Sequence, residues 1–151
     1  GLIDYARKAV PGIAFTSDVI VGFPGETEEE FLRTLAFIQK CQFSAMHIFP
    51  YSRRPGTPAD KLPGQQPNAV KEDRAHRAAA VAIEMEHRYL DQWVGQTVPV
   101  LFEEERDGRW VGHTPQYLAV AAAGDTPLHN CLRQVRIQAR QGEMLVGEVK
   151  L

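Results

Sequence analysis

The sequence predicts an α/β segment followed by a small all-β, barrel-like module, with the change of character near Gly95. Three observations carry this expectation. Strand, helix and strand patterns succeed one another between residues 14 and 50. A single apolar stripe of helical spacing then runs from residue 68 to about 93. After Gly95 come five short strand-like runs separated by turn residues.

The first strand pattern is AFTSDVIVGF, residues 14 to 23, in which Val19, Ile20 and Val21 form a continuous apolar run. Such a run is expected when both faces of a strand are covered, so a buried parallel strand is predicted. GFPGE then turns the chain, and Thr27 stands before three glutamates with Glu30 three residues on. That spacing is a capping box, and the carboxylates favour the positive end of a helix. Phe31, Leu35 and Ile38 recur at i, i+4 and i+7, which predicts a helix from about Glu28 to Lys40 with one buried stripe. FSAMHIFPY, closed by Pro50, predicts a second strand parallel to the first across a right-handed connection. His47 lies between Met46 and Ile48 and is expected to be a hydrogen-bonded core histidine, a substrate contact being the alternative.

From Pro50 to Pro67, ends included, there are five prolines and two glycines, which predicts an irregular surface loop. Long loops of this kind often carry function. Asn68 can cap the next helix, where Ala75, Ala78, Ala82, Met85 and Tyr89 keep to one face and Lys71, Arg74, Arg77 and Arg88 to the other. Beyond Gly95 the strand candidates are TVPVLFEE, RWVGHT, QYLAVAAA, CLRQVRIQA and MLVGEVK, the first two joined across Arg106-Asp107-Gly108. Trp110, His113 and Tyr117 are expected in adjacent strands. With Arg109, Arg133, Arg136 and Arg140 they offer an aromatic and basic surface for unpaired bases, core packing of Trp110 and Tyr117 being the alternative.

Composition narrows the function classes. A net charge of -2 gives no global attraction to nucleic acid, so any RNA contact must be local. Residues 95 to 151 hold six Lys and Arg against seven Asp and Glu, so the β-module is not basic either. No apolar run approaches the roughly 20 residues of a membrane helix and no charged-then-apolar leader opens the chain, so a cytoplasmic protein with no membrane partner is expected. Cys41 and Cys131 are too far apart for a CxxC metal site and are expected to be small buried hydrophobes.

The turn after the first strand poses the chemical question. A glycine-rich strand-to-helix turn usually suggests phosphate, but GxGxxG and a Lys-Ser/Thr pair are missing, and Glu26, Glu28, Glu29 and Glu30 would repel an anion. A cationic or neutral partner suits it better, with Gly22 and Gly25 admitting close approach and Pro24 stiffening the path. A tight turn with no ligand is the alternative.

TSDVIVGFPGETEEEF, followed at about 25 residues by HIFPYSRRPGTPA, resembles the radical S-adenosylmethionine methylthiotransferases, which insert sulfur and a methyl group into a tRNA base or a ribosomal protein. MHIFPYSRRPGTPA, the basic helix VKEDRAHR and the closing GHTPQYLAV look most like the MtaB type, which acts on threonylcarbamoyladenosine in tRNA. The resemblance covers nearly the whole chain. It implies that residues 1–94 are the C-terminal part of a partial α/β barrel and residues 95–151 a TRAM-like β-domain.

It further implies S-adenosylmethionine and iron-sulfur clusters as cofactors and a tRNA anticodon stem-loop as partner. Asp18, Ile20, Gly22, Pro24, Gly25 and Glu26 correspond to the strand and turn beside S-adenosylmethionine. Tyr51, Ser52, Arg53, Arg54, Gly56 and Thr57 match the family's substrate-side loop. The three auxiliary-cluster cysteines and the CxxxCxxC of the family are missing, so no catalytic or metal-binding residue is expected here, and a missing N-terminal part becomes the necessary partner. The isopentenyladenosine tRNA and ribosomal-protein methylthiotransferases share the GFPGET and YS...GT phrases and stay open as alternatives. A different class also stays open: an RNA-binding module in which the α/β segment is only scaffold.

Overall fold

The computed structural model describes residues 1–124 and 127–150. Its elements are α1 (Leu2–Ala9), β1 (Thr16–Val21), α2 (Glu28–Cys41), β2 (Ala45–Pro50), α3 (Asn68–Asp91), β3 (Thr97–Arg106), β4 (Arg109–His113), β5 (Ala119–Ala123), β6 (Cys131–Gln141) and β7 (Met144–Val149). Contacts divide the chain into Ala14–Glu86 and a second unit of Gly1–Ile13 with His87–Leu151. The division falls inside α3, whereas the change from helix to strand falls at Gly95.

In the first unit β1 and β2 pair in parallel from Thr16↔Ala45 to Val21↔Pro50, with α2 between them in sequence. The predicted capping box is present: the Thr27 hydroxyl accepts from the Glu30 N–H at 3.2 Å, and the Glu30 carboxylate accepts from the Thr27 N–H at 2.8 Å. Val21, Phe31 and Ala78 form the core, with Val19, Leu35, Ile48 and Ala75 packed against them. Both helices thus lie on the face to which Val19 and Val21 point.

The opposite face corrects two expectations. Ile20 is 55% exposed and Phe49 51%, so β1 is covered on one side only, because the period of two turns Ile20 away from both helices. His47 shares that uncovered face, opposite Asp18 in register and with its ring 6.4 Å from Phe49; it is exposed rather than a core histidine.

The Pro-rich segment is not wholly irregular, since Pro58–Lys61 makes one 3₁₀ turn. Pro at its first position supplies a fixed φ and lacks only an N–H that would be unpaired there. Asn68 is the first residue of α3, and the Pro67 carbonyl accepts from the Val70 and Lys71 N–H groups, so Asn68 is not the cap. Ala78, Ala82, Met85 and Tyr89 are buried along the predicted stripe. Arg74 is buried with them, at 4% exposure.

In the second unit the strands close a barrel in the order β3-β4-β5-β7-β6. Only β5 and β7 pair in parallel among these five. Val100, Phe102, Val120, Val135, Ile137 and Leu145 fill the interior. The β3–β4 hairpin turns on Asp107 and Gly108, whose φ values of 52° and 74° suit a two-residue primed turn. The Tyr89 hydroxyl donates to the Gly12 carbonyl at 2.9 Å, tying the segment after α1 to the last turn of α3.

Tyr117 is not in a strand. It occupies the turn from Thr114 to Leu118 with φ 64°, stands 80% exposed, and stacks on His113 at 4.6 Å between ring centroids. Core packing is therefore excluded for Tyr117, while Trp110 is half-buried. Arg109, Arg133 and Arg136 are exposed, but Arg140 is paired with Asp91 at 2.8 Å and so contributes less to a basic surface.

A candidate site at the carboxyl ends of the parallel strands

The turn after β1 is built by the chain folding back on itself. Gly22, at φ 70°, donates its N–H to the Glu26 carboxylate at 3.1 Å. A Cβ at Gly22 would lie 2.4 Å from Cγ of Lys71, so the bare backbone there makes room for α3. Gly25, at φ 83°, would meet nothing within 4 Å on its Cβ side, and its N–H donates to the Gly64 carbonyl at 2.9 Å. Pro24 is buried between them.

Each of the four glutamates is engaged by a group of the chain. Glu26 accepts from Arg74 Nη1 at 2.7 Å, and Glu28 meets Arg77 at 2.5 Å and Arg74 at 3.6 Å. Glu29 pairs with Arg33 at 2.5 Å, and Glu30 is held by Thr27. The Arg77 guanidinium keeps the Glu28 carboxyl below its ordinary value, and the Thr27 N–H and hydroxyl do the same for Glu30. Arg33, Arg74 and Arg77 thus supply positive charge to this turn from within the chain.

The loop after β2 is joined to the same place. The Tyr51 N–H donates to the Val21 carbonyl at 2.8 Å, Lys71 Nζ donates to the Tyr51 carbonyl at 3.1 Å, and the Phe23 and Tyr51 rings meet edge to face at 5.1 Å. Beside them opens a cavity of about 530 Å³, lined by Ile20, Phe49 and Pro50 of the strands and by Tyr51, Ser52, Arg54, Thr57 and Ala59 of the loop. Tyr51 is buried and its hydroxyl has no hydrogen-bond partner among the described residues.

The structure thus brings together part of the expected set. Of the first group Ile20 lines the cavity, Gly22, Pro24, Gly25 and Glu26 form the adjoining turn, and Asp18 lies one pleat away on the open face. Of the second group Tyr51, Ser52, Arg54 and Thr57 line the cavity. Arg53 turns elsewhere: its Nε and Nη2 donate to the side chain and carbonyl of Asp60, both at 2.9 Å. Gly56, at φ 85°, completes the turn in which the Arg54 carbonyl accepts from the Thr57 N–H at 3.2 Å.

Lys71 and Arg74 were missed as site residues. The signal was available, because 71, 74, 78 and 82 follow the same three-and-four spacing as the alanine stripe, which places both cations at the edge of the buried face. Among the described residues no group of three or more His, Cys, Asp or Glu is placed to hold a metal. Cys41 is buried and Cys131 half-buried, and they belong to different units.

No protein-family model matches the chain. Among curated proteins it is 41% identical over 136 residues to the threonylcarbamoyladenosine tRNA methylthiotransferase MtaB of Bacillus subtilis (strain 168), a match covering 87% of this chain and 30% of that protein. It is 37% identical over 149 residues to the tRNA-2-methylthio-N(6)-dimethylallyladenosine synthase of Bartonella bacilliformis, covering 97% of this chain and 32% of the relative. With the ribosomal protein uS12 methylthiotransferase RimO of Heliobacterium modesticaldum the identity is 46% over 104 residues, covering 69% and 23%. The chain therefore spans about a third or less of the length of these relatives.

Proposed function

Because this chain belongs to the methylthiotransferase family, we propose that it is the C-terminal part of a cytoplasmic tRNA methylthiotransferase that acts on threonylcarbamoyladenosine beside the anticodon. In this reading residues 1–94 end a radical S-adenosylmethionine barrel and residues 95–151 are its TRAM-like domain. The observation that carries it is the contact of the GFPGE turn, through Phe23, with Tyr51 at the carboxyl ends of two parallel strands, beside a cavity lined by Ile20, Phe49 and the Tyr51–Thr57 loop. Ligands of parallel α/β folds bind at that end of the strands. The choice among the three substrates rests on the phrases HIFPYSRR and GHTPQYLAV, since relatives of all three kinds match at 37–46% identity.

S-adenosylmethionine, when bound, supplies the radical and the methyl group. The uncovered face of β1 fits such a ligand, since Ile20 offers apolar surface and Asp18 an exposed carboxylate for a cationic group. The iron-sulfur clusters do not fit this chain: two cysteines are too few to ligate one, and in this reading the ligands belong to the remainder of the enzyme. What these residues contribute is a walled, partly apolar cavity that excludes water from one side of the substrate and fixes its orientation. Tyr117 stacked on His113 gives the β-domain an exposed aromatic surface suited to an unpaired base.

The test uses the full-length parent protein, reconstituted with iron and sulfide and given tRNA with unmodified or threonylcarbamoylated adenosine, the nucleosides being read by mass spectrometry. The expected product is a methylthio gain confined to threonylcarbamoyladenosine. A methylthio group on a ribosomal protein instead would move the chain to the sister group, and no product on either would leave the RNA-binding module as the better account.

A further inference from the structure

We propose that Arg54 reads a carboxylate on the substrate, and that it thereby separates an adenosine carrying an anionic N6 chain from one carrying a neutral hydrocarbon chain. The inference rests on the functional reading above and deepens it. Two adjacent arginines of the loop have different fates. The Arg53 guanidinium is closed on Asp60, through Nε to the carboxylate and Nη2 to the carbonyl. The Arg54 guanidinium has no ion pair or hydrogen bond among the described residues, and Arg54 lines the cavity.

Its backbone, in contrast, is fixed. The Arg54 carbonyl accepts from the Thr57 N–H at 3.2 Å and from the Thr57 hydroxyl at 2.9 Å. The side chain is therefore a free cation on an anchored base. The rest of the lining is apolar at Ile20, Phe49 and Pro50.

A flat base fits the apolar wall at Phe49 and Pro50, and a side chain bearing an anion would answer the unpaired guanidinium. The threonylcarbamoyl chain has a carboxylate and a hydroxyl, whereas the dimethylallyl chain of the related substrate has neither. Arginine matches a carboxylate with two parallel N–H donors, which a lysine cannot do. A tRNA phosphate is the other anion within the same chemistry, and the experiment separates the two.

The reconstituted full-length enzyme would be given two tRNA substrates that differ only in whether the threonyl carboxylate is free or a methyl ester. Wild type is expected to favour the free acid in kcat/KM by roughly 10- to 100-fold, mostly through KM, as for a charge-assisted pair. In R54Q that ratio should collapse to within about threefold, and R54K should keep part of it. Because each ratio is taken within one protein, loss of folded enzyme cancels. An R54Q ratio equal to that of wild type would overturn the proposal, as would equal slowing of both substrates, which would indicate a phosphate contact. In either case the parent activity on threonylcarbamoyladenosine would stand. If wild type forms no methylthio product on threonylcarbamoylated tRNA, both the functional reading and this assignment fail.

Discussion

Arg74 Nη1 lies 2.7 Å from Oε1 of Glu26 and 3.0 Å from the Glu26 carbonyl, with the two side chains 5% and 16% exposed. The same carboxylate oxygen accepts from the Gly22 N–H. One residue of α3 thus fixes the turn that follows β1, across 48 positions of sequence.

Removing Arg74 alone should therefore be severe. R74M leaves the Glu26 carboxylate buried without its counter-charge, and the expected loss is about 3–5 kcal/mol by urea denaturation followed by circular dichroism. The double variant E26Q/R74M should recover a good part of that loss, because no unpaired charge remains. Additive losses would show that the pair is not coupled.

The two glycines of the turn should respond differently to a methyl group. At Gly25 alanine meets open space and bears only the left-handed conformation, a cost of about 1–2 kcal/mol. At Gly22 the same conformation is joined by a contact 2.4 Å from Lys71 Cγ. G22A should therefore be less stable than G25A by roughly 1–3 kcal/mol, part of which K71A restores in the G22A background. Thermal unfolding of the four proteins checks the order, and equal losses at both glycines would refute the close approach of α3.

Acid should weaken the α2 terminus first. Arg77 lowers the Glu28 carboxyl and the Thr27 N–H lowers that of Glu30, both from 4.5, so folding favours their charged forms. Their contribution is fully present above about pH 4.5 and is lost as pH falls through the depressed values. The midpoint of thermal unfolding should drop from pH 5 to pH 3, and E30Q should flatten that slope. A steeper slope in E30Q would contradict the sign.

The uncovered face should make this chain associate with itself. Ile20 and Phe49 are half exposed, side by side in register, and the outer edges of β1 and β2 have no strand partner among the described residues. Sedimentation is expected to show concentration-dependent association that the I20N/F49Q variant reduces. A sharp monomer across the micromolar range would count against it.

Much of the fold was written locally. The capping box at Thr27, the alanine stripe of α3, the Asp107-Gly108 hairpin and the five strands beyond Gly95 each follow from residues a few positions apart, where propensity and periodicity act. The two halves of the candidate site were legible in the same way, as a glycine-rich turn after one strand and a proline-rich loop after the next. Their adjacency follows once the strands are parallel.

Tertiary structure alone decided the rest, because burial depends on what packs from far along the chain. The run Val19-Ile20-Val21 has the same apolar character at each position, yet α2 and α3 cover only one face and leave Ile20 open. The spacing puts Arg74 at the edge of the alanine face, but it is Glu26, 48 positions away in sequence, that pairs with it at 4% exposure. Arg53 and Arg54 are neighbours of one type, and a carboxylate seven residues on at Asp60 takes the first and leaves the second at the cavity. The sequence determined which elements form and which chemical groups they carry. The long-range contacts determined which of those groups are already paired, and so which are free to meet a substrate.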